Sequence, residues 1–184
     1  MKSNDLKILN ELKLGSPEAF KELFDLYYIP LSTYAFKYCD SFTVAEDIVQ
    51  DLFIKIWDEK LYLNFNETIG PYLFKAVKNN TLQATKQKSK YHFVEIEEHV
   101  NKLMIDENID IKLIEDDKKK LFTEIEALPT KCKEVFKAIV LDNLKYKEVA
   151  LQLGISVNTV KTHYSRALKQ LRSVLEIIIL LFLI

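Results

Sequence analysis

The chain has little of what folds use to punctuate or cross-link themselves. Among 184 residues there are three glycines, four prolines and two cysteines. Such scarcity of breakers argues against a fold built on many tight turns and fits helices throughout. Cys39 and Cys132 lie far apart with no Cys/His cluster nearby, which excludes a disulfide scaffold; small buried side chains in a reducing compartment suit both. His92, His99 and His163 are scattered, and no spacing matches a metal site. No glycine-rich phosphate cradle and no nucleophile–histidine pairing is visible, so neither an enzyme, a cofactor nor a small-molecule substrate is expected. The longest apolar run, Ile177 to Ile184, falls far short of the roughly 20 residues that span a bilayer. That run is expected to extend the last helix and pack on a neighbouring surface or against a partner. The opening MKSNDLKILNELK has no apolar signal core, so a cytoplasmic protein is expected.

Net charge is also nearly absent, at −1, and bulk electrostatics therefore predict no polyanion partner. The distribution contradicts the total. Between Lys131 and Arg172 there are nine Lys/Arg against three acids, and between Pro71 and His92 five lysines and no acid. Acids gather instead at 44–59 and 93–127. Two basic patches separated by acidic segments imply two nucleic-acid contacts with salt-sensitive affinity.

What is present is most specific at 146–168, YKEVALQLGISVNTVKTHYSRAL. Val149, Ala150 and Leu153 form an apolar edge, and Gly154 ends that helix after two turns, where positive φ costs glycine nothing. Ser156 is placed to cap a second helix whose inward edge is Val160, Tyr164, Ala167, Leu168 and Leu171. Ser156, Asn158, Thr159, Lys161, Thr162, His163, Ser165, Arg166 and Lys169 then fall on or beside the outer face, where they suit base edges and phosphates. This is the pattern of a helix-turn-helix whose second helix enters the major groove. An ordinary helical hairpin shows the same punctuation, but does not call for the small Ala150, the glycine turn and the basic outer face together.

The first half reads as successive helices. Ser16-Pro17 opens one, followed by Phe20, Leu23, Phe24, Tyr27, Tyr28 and Leu31 at helical spacing, with Pro30 as a kink or boundary. Thr43 and Glu46 have the spacing of a capping box. Behind them Ala45, Ile48, Val49, Leu52, Phe53, Ile56 and Trp57 make an amphipathic stripe, with Glu46, Asp47, Gln50, Asp51 and an exposed Ile54 opposite. DNA would repel that opposite face; a basic, partly apolar protein surface would not. Pro71 starts a further helix, and residues 71–92 interleave lysines with Tyr72, Phe74 and Asn79-Asn80. Such a mixture suits single-stranded DNA, whose phosphates meet lysine and whose splayed bases meet aromatic or amide groups. Residues 93–117 lack steady periodicity and read as an acidic linker, with a second helical unit from Lys118.

Four segments occur together: AFxxLFxxY (19–27), AEDIVQDLFIKIW (45–57), YLFKAVKNN (72–80), and LPTKCKEVF with the helix-turn-helix (128–172). This ordered set resembles the extracytoplasmic-function (ECF) sigma factors of bacterial RNA polymerase, within the sigma-70 family, over about residues 15–172. LPTKCKEVF is similar to the spelling of the subgroup tied to iron-citrate-type and polysaccharide-linked signalling. The resemblance implies an all-α chain of two small helical domains on a flexible acidic tether. These are a second sigma domain over 10–92, a linker over 93–117, a fourth sigma domain over 118–176, and the apolar tail 177–184.

It further implies that Asp47, Gln50, Asp51, Ile54 and Trp57 grip the clamp helices of core RNA polymerase. Lys75, Lys78, Asn79, Asn80, Gln83 and Lys86 would melt and read the promoter −10 element as single strand. The outward residues of 156–169 would read the −35 element as promoter DNA duplex. The linker would thread near the RNA exit path, its charge mimicking RNA. An anti-sigma factor, often anchored in the inner membrane, would be the regulatory partner. Two departures accompany the match: family members follow the first asparagine with an aspartate and an arginine where this chain has Gln83 and Lys86. Lysine exchanges a forked donor for a point charge, which loosens discrimination. A stand-alone helix-turn-helix regulator is the alternative; it accounts for 130–172 and leaves 15–90 without a role.

Overall fold

The computed structural model describes residues 2–85, 111–175 and 178–179, which fall into two compact units, one on each side of the undescribed stretch 86–110. No strand occurs among the described residues, so the chain is all-α.

The first unit holds four helices: α1 (Lys2–Lys13), α2 (Pro17–Phe36), α3 (Phe42–Asp58) and α4 (Gly70–Thr85), with a short 3-10 turn at Leu61–Asn64. Ser16 caps α2 by accepting from the Ala19 N–H at 3.2 Å, with Pro17 in the first turn where its missing N–H costs nothing. Pro30 does not end this helix. The backbone stays helical to Phe36, because every residue from Pro30 to Phe36 is buried, and that packing outweighs the hydrogen bond proline cannot make. The capping-box expectation at Thr43 is also corrected. α3 begins earlier, capped by Ser41, whose Oγ accepts from the Val44 N–H at 3.4 Å.

Ile8, Leu9 and Leu12 of α1, Leu23 and Leu31 of α2, Val49, Leu52, Phe53 and Ile56 of α3, and Leu73, Phe74 and Val77 of α4 are all essentially inaccessible. Each such side chain contributes about 1.5–3 kcal/mol through burial. Edge-to-face rings join the helices: Phe24 to Phe53 at 5.0 Å and Tyr34 to Phe74 at 5.2 Å.

One buried carboxylate ties three of these helices together. Asp5 of α1 is fully inaccessible. Its two oxygens receive the Tyr27 hydroxyl of α2 at 2.8 and 2.9 Å. Oδ2 also accepts from the Thr68 hydroxyl at 2.6 Å and from the backbone N–H groups of Ile69 and Gly70 at 3.1 and 3.3 Å. Those amides open α4, so a negative group here satisfies donors that a helix start leaves unpaired. Burial, then Asp5, pushes the Tyr27 phenol well above its ordinary range, which keeps its proton in place as a donor.

The second unit comprises α5 (Ile111–Glu126), α6 (Thr130–Val140), α7 (Tyr146–Leu153) and α8 (Val157–Gln170), then a 3-10 turn at Arg172–Val174. The helical unit expected from Lys118 therefore starts at Ile111, and residues 111–117 are helix, not linker; the rest of that linker lies outside the described residues. The first helix of this unit is joined to α6 by charge: Lys133 and Lys137 reach Glu126 at 3.0 and 2.7 Å, which holds that carboxyl below its usual range. Val135, Phe136, Val149, Val160, Tyr164, Ala167, Leu168 and Leu171 form the core, with Phe136 stacked on Tyr164 at 6.3 Å. The tail does not simply prolong α8, which stops at Gln170; Ile178 and Ile179 are helical again and buried.

Candidate nucleic-acid interface

α7 ends as the glycine at 154 requires. Gly154 has φ +64°, and the N–H of Ile155 donates to Ala150 O at 3.1 Å, closing the helix with the six-residue bond of a Schellman turn. Ser156 then caps α8, its Oγ accepting from the Thr159 N–H at 3.0 Å and lying 2.8 Å from the Thr159 hydroxyl. Turn and cap together fix the start of the second helix, with Val160, Tyr164, Ala167 and Leu168 buried as expected.

Asn158, Thr162, Arg166 and Lys169 are exposed, at intervals of four, four and three along one ridge of α8. Thr159, Lys161 and Ser165 flank them, half-buried. The Thr162 hydroxyl donates to Asn158 O at 2.8 Å. Lys161 is drawn aside: its ammonium sits over the Tyr146 ring at 5.6 Å from the centroid. Two residues of the outer set also make structural contacts. Ser156 is the cap, and His163 turns toward α6, its Nδ1 3.7 Å from Cys132 Sγ. Burial pushes that thiol up, with Arg166 opposing the shift.

On α4, Lys75, Asn79 and Gln83 are exposed at i, i+4 and i+8 and form one row; Asn80 is half-buried beside it. Lys78 is not on that surface, being 5% exposed, and Lys86 lies outside the described residues. Helical geometry explains the difference, since Lys78 follows Phe74 by four and precedes Thr81 by three on the buried side.

The acidic face of α3 is as expected for Asp47, Gln50, Asp51 and Ile54, which are all exposed; Ile54 is 58% accessible. Trp57 is half-buried, its ring 4.7 Å from Phe20. Between α2 and α3 an open groove of about 360 Å³ is lined by Phe20, Phe24, Gln50, Phe53, Ile54, Trp57 and Asp58.

Sequence reasoning missed Glu46. It is buried at 5% exposure and accepts the Tyr28 hydroxyl at 2.9 Å, while the Gln50 amide donates to the same phenol oxygen at 3.3 Å. A signal existed: Glu46 follows Phe42 by four and precedes Val49 by three, and so falls within the buried stripe. Burial, then Glu46, raises the Tyr28 phenol well above its ordinary range. Among the described residues no group of three or more His, Cys, Asp or Glu is placed to hold a metal, and no helix is long and apolar enough to cross a membrane.

A capped helix-turn-helix with a polar, basic outer ridge defines a DNA-binding unit, and residues 118–171 match the family model described as Sigma-70, region 4. The chain is also similar to the ECF RNA polymerase sigma factor SigW of Bacillus subtilis (strain 168), at 23% identity over 183 residues, covering 92% of this chain and 96% of that protein. A second similarity is to the RNA polymerase sigma factor SigZ of the same organism, at 23% over 156 residues, covering 85% and 86%. Among solved structures, CnrH in complex with the cytosolic domain of CnrY aligns with TM-score 0.41 and 19% identity, covering 92% of this chain and 96% of that chain. The chain thus carries a match to Sigma-70, region 4 in its second unit and is similar along most of its length to RNA polymerase sigma factors, which supports a sigma-factor function in transcription initiation.

Proposed function

We propose that this sigma factor docks on core RNA polymerase through the outer face of α3, reads the −10 element as single strand with α4, and reads the −35 duplex with α8. The observation that carries the reading is the opposition of two faces in one chain. α3 presents Asp47, Gln50, Asp51 and Ile54 next to an apolar groove, a surface DNA repels, whereas α8 presents Asn158, Thr162, Arg166 and Lys169. A protein partner suits the first and a polyanion the second. On α4 the row Lys75, Asn79 and Gln83 supplies one charge and two amides for phosphates and bases. Residues 10–92 act as the second sigma domain, 111–176 as the fourth, and the stretch between them as the connection that threads through polymerase.

The protein works by binding alone, in the cytoplasm; polymerase performs the chemistry. An anti-sigma factor is the regulatory partner that kinship supplies. A stand-alone regulator would leave the α3 face unused. Run-off transcription over a promoter library, with and without core, tests the reading. Discrete start sites that require both proteins are expected; a DNA shift without core and without initiation overturns it. The docking face is tested by Asp47→Arg with Asp51→Arg, which places like charge against a basic partner. Loss of co-purification with core is expected while helicity is kept; unchanged co-purification refutes the assignment.

A further inference from the structure

We infer that Tyr28 and Glu46 are positioning residues that turn Gln50 into an outward hydrogen-bond acceptor, fitting the α3 face to an arginine of the partner surface. The inference rests on the reading that α3 docks on polymerase. A phenol has one hydrogen to give. Tyr28, stacked on Phe24 at 4.7 Å, spends it on Glu46 at 2.9 Å. Its oxygen therefore accepts, and the group that Gln50 offers to it at 3.3 Å must be an amide N–H. The raised proton affinity of Tyr28, from burial and from Glu46, keeps this polarity fixed.

An amide held by its nitrogen directs its carbonyl away from that contact. The exposed Gln50 then adds an acceptor to the Asp47 and Asp51 carboxylates, beside Ile54 and the aromatic groove. Left to itself a glutamine amide serves donors and acceptors alike. Fixed in this way, it joins a surface of acceptors around an apolar patch, which matches the forked donors and apolar stem of arginine and rejects a carboxylate.

The test is the affinity of the full chain for core polymerase, with thermal stability and −35 duplex binding as controls. Tyr28→Phe keeps the ring and removes the hydroxyl; about a fivefold weaker affinity for core is expected, the worth of one oriented hydrogen bond. In a Gln50→Ala background the same change should have no further effect. Gln50→Lys, a donor only, should bind core more weakly than Gln50→Ala. If Tyr28→Phe unfolds the first unit, Glu46→Met is measured instead; it removes the acceptor at 46, frees the phenol hydrogen for Gln50 and should show the same fivefold loss, absent beside Gln50→Ala. Unchanged affinity, an equal loss in the Gln50→Ala background, or a Gln50→Lys protein that binds as the parent does would each overturn the inference. The Asp47→Arg, Asp51→Arg protein is measured alongside. If it still binds core, the docking reading has failed; if it does not bind while Tyr28→Phe binds normally, only the role of Tyr28 has failed.

Discussion

Replacing Asp5 by alanine should be among the most damaging single changes in the first unit. The side chain is fully inaccessible and holds four donors: the Tyr27 and Thr68 hydroxyls and the Ile69 and Gly70 amides. Alanine leaves all four buried or half-buried with nothing to bond, at about 1–3 kcal/mol for each that water cannot reach. If water reaches two of them, a loss of about 4 kcal/mol remains, within the range for breaking a buried charged cluster. Asp5→Asn separates charge from geometry. Its carbonyl can take the Oδ2 position, where the α4 amides converge, and its NH₂ can donate to the Tyr27 oxygen, so about 1–2 kcal/mol is expected.

The chain contains a single tryptophan, Trp57, which packs on Phe20 in the first unit, so its fluorescence reports that unit alone. Urea unfolding followed at Trp57 should show the midpoint falling by about 2 M or more for Asp5→Ala and by roughly 1 M for Asp5→Asn, using a slope of about 1–2 kcal/mol/M. If Asp5→Ala lies within about 0.5 kcal/mol of the parent, the carboxylate does not organise α4, and this reasoning is wrong.

Three further outcomes are expected. Arg166→Ala should weaken −35 duplex binding by about 1–3 kcal/mol in gel shift or anisotropy and leave core binding untouched; a proportional fall in core binding would mark the residue as structural. Gly154→Ala meets no neighbouring atom but inherits φ +64°, so calorimetry should show a strain cost of about 1–2 kcal/mol. Glu126 titrates below its usual range because Lys137 and Lys133 hold its charged form. Its contribution to stability is therefore complete above the ordinary carboxylate range and is lost as pH falls through the lowered value. Lys137→Met should raise the Glu126 titration midpoint toward the ordinary value in an NMR titration, and an unmoved midpoint would refute the pairing.

How much of this was legible beforehand depended on whether the determinant was local. Gly154, Ser156 and the inward set Val160, Tyr164, Ala167 and Leu168 could be read directly, because turn chemistry and a 3.6-residue period act over a few residues. The α3 stripe and its exposed Asp47, Gln50, Asp51 and Ile54 followed from the same period. Long-range partnerships were not legible. Asp5 carries no local signal of its role, and its donors lie 22 and more than 60 residues away. Glu46 looked polar and outward because its partner is on another helix. Lys78 was placed by kinship, and tertiary packing buries it; the contact of half-buried His163 with Cys132 was likewise not legible, because its partner lies on another helix. Pro30 shows the same lesson in the backbone, where burial of the following turn outweighs a local breaker.

The lysine parked over Tyr146 has a consequence for counterions. With Lys161 engaged there, the exposed cations of α8 are Arg166 and Lys169. Two phosphates neutralised by this helix release about two counterions, a log–log salt slope near −2 and far shallower than that of a repressor gripping an operator. Two ion pairs from this helix alone would be a light grip on a free duplex. Tethered on polymerase beside a second DNA-contacting unit, as proposed above, the same weak contact would become intramolecular, and effective concentration would supply what ionic pairing does not. On the proposed docking, a weakly held recognition helix would make promoter choice conditional on assembly and would keep the unassembled protein from occupying promoters that it cannot use.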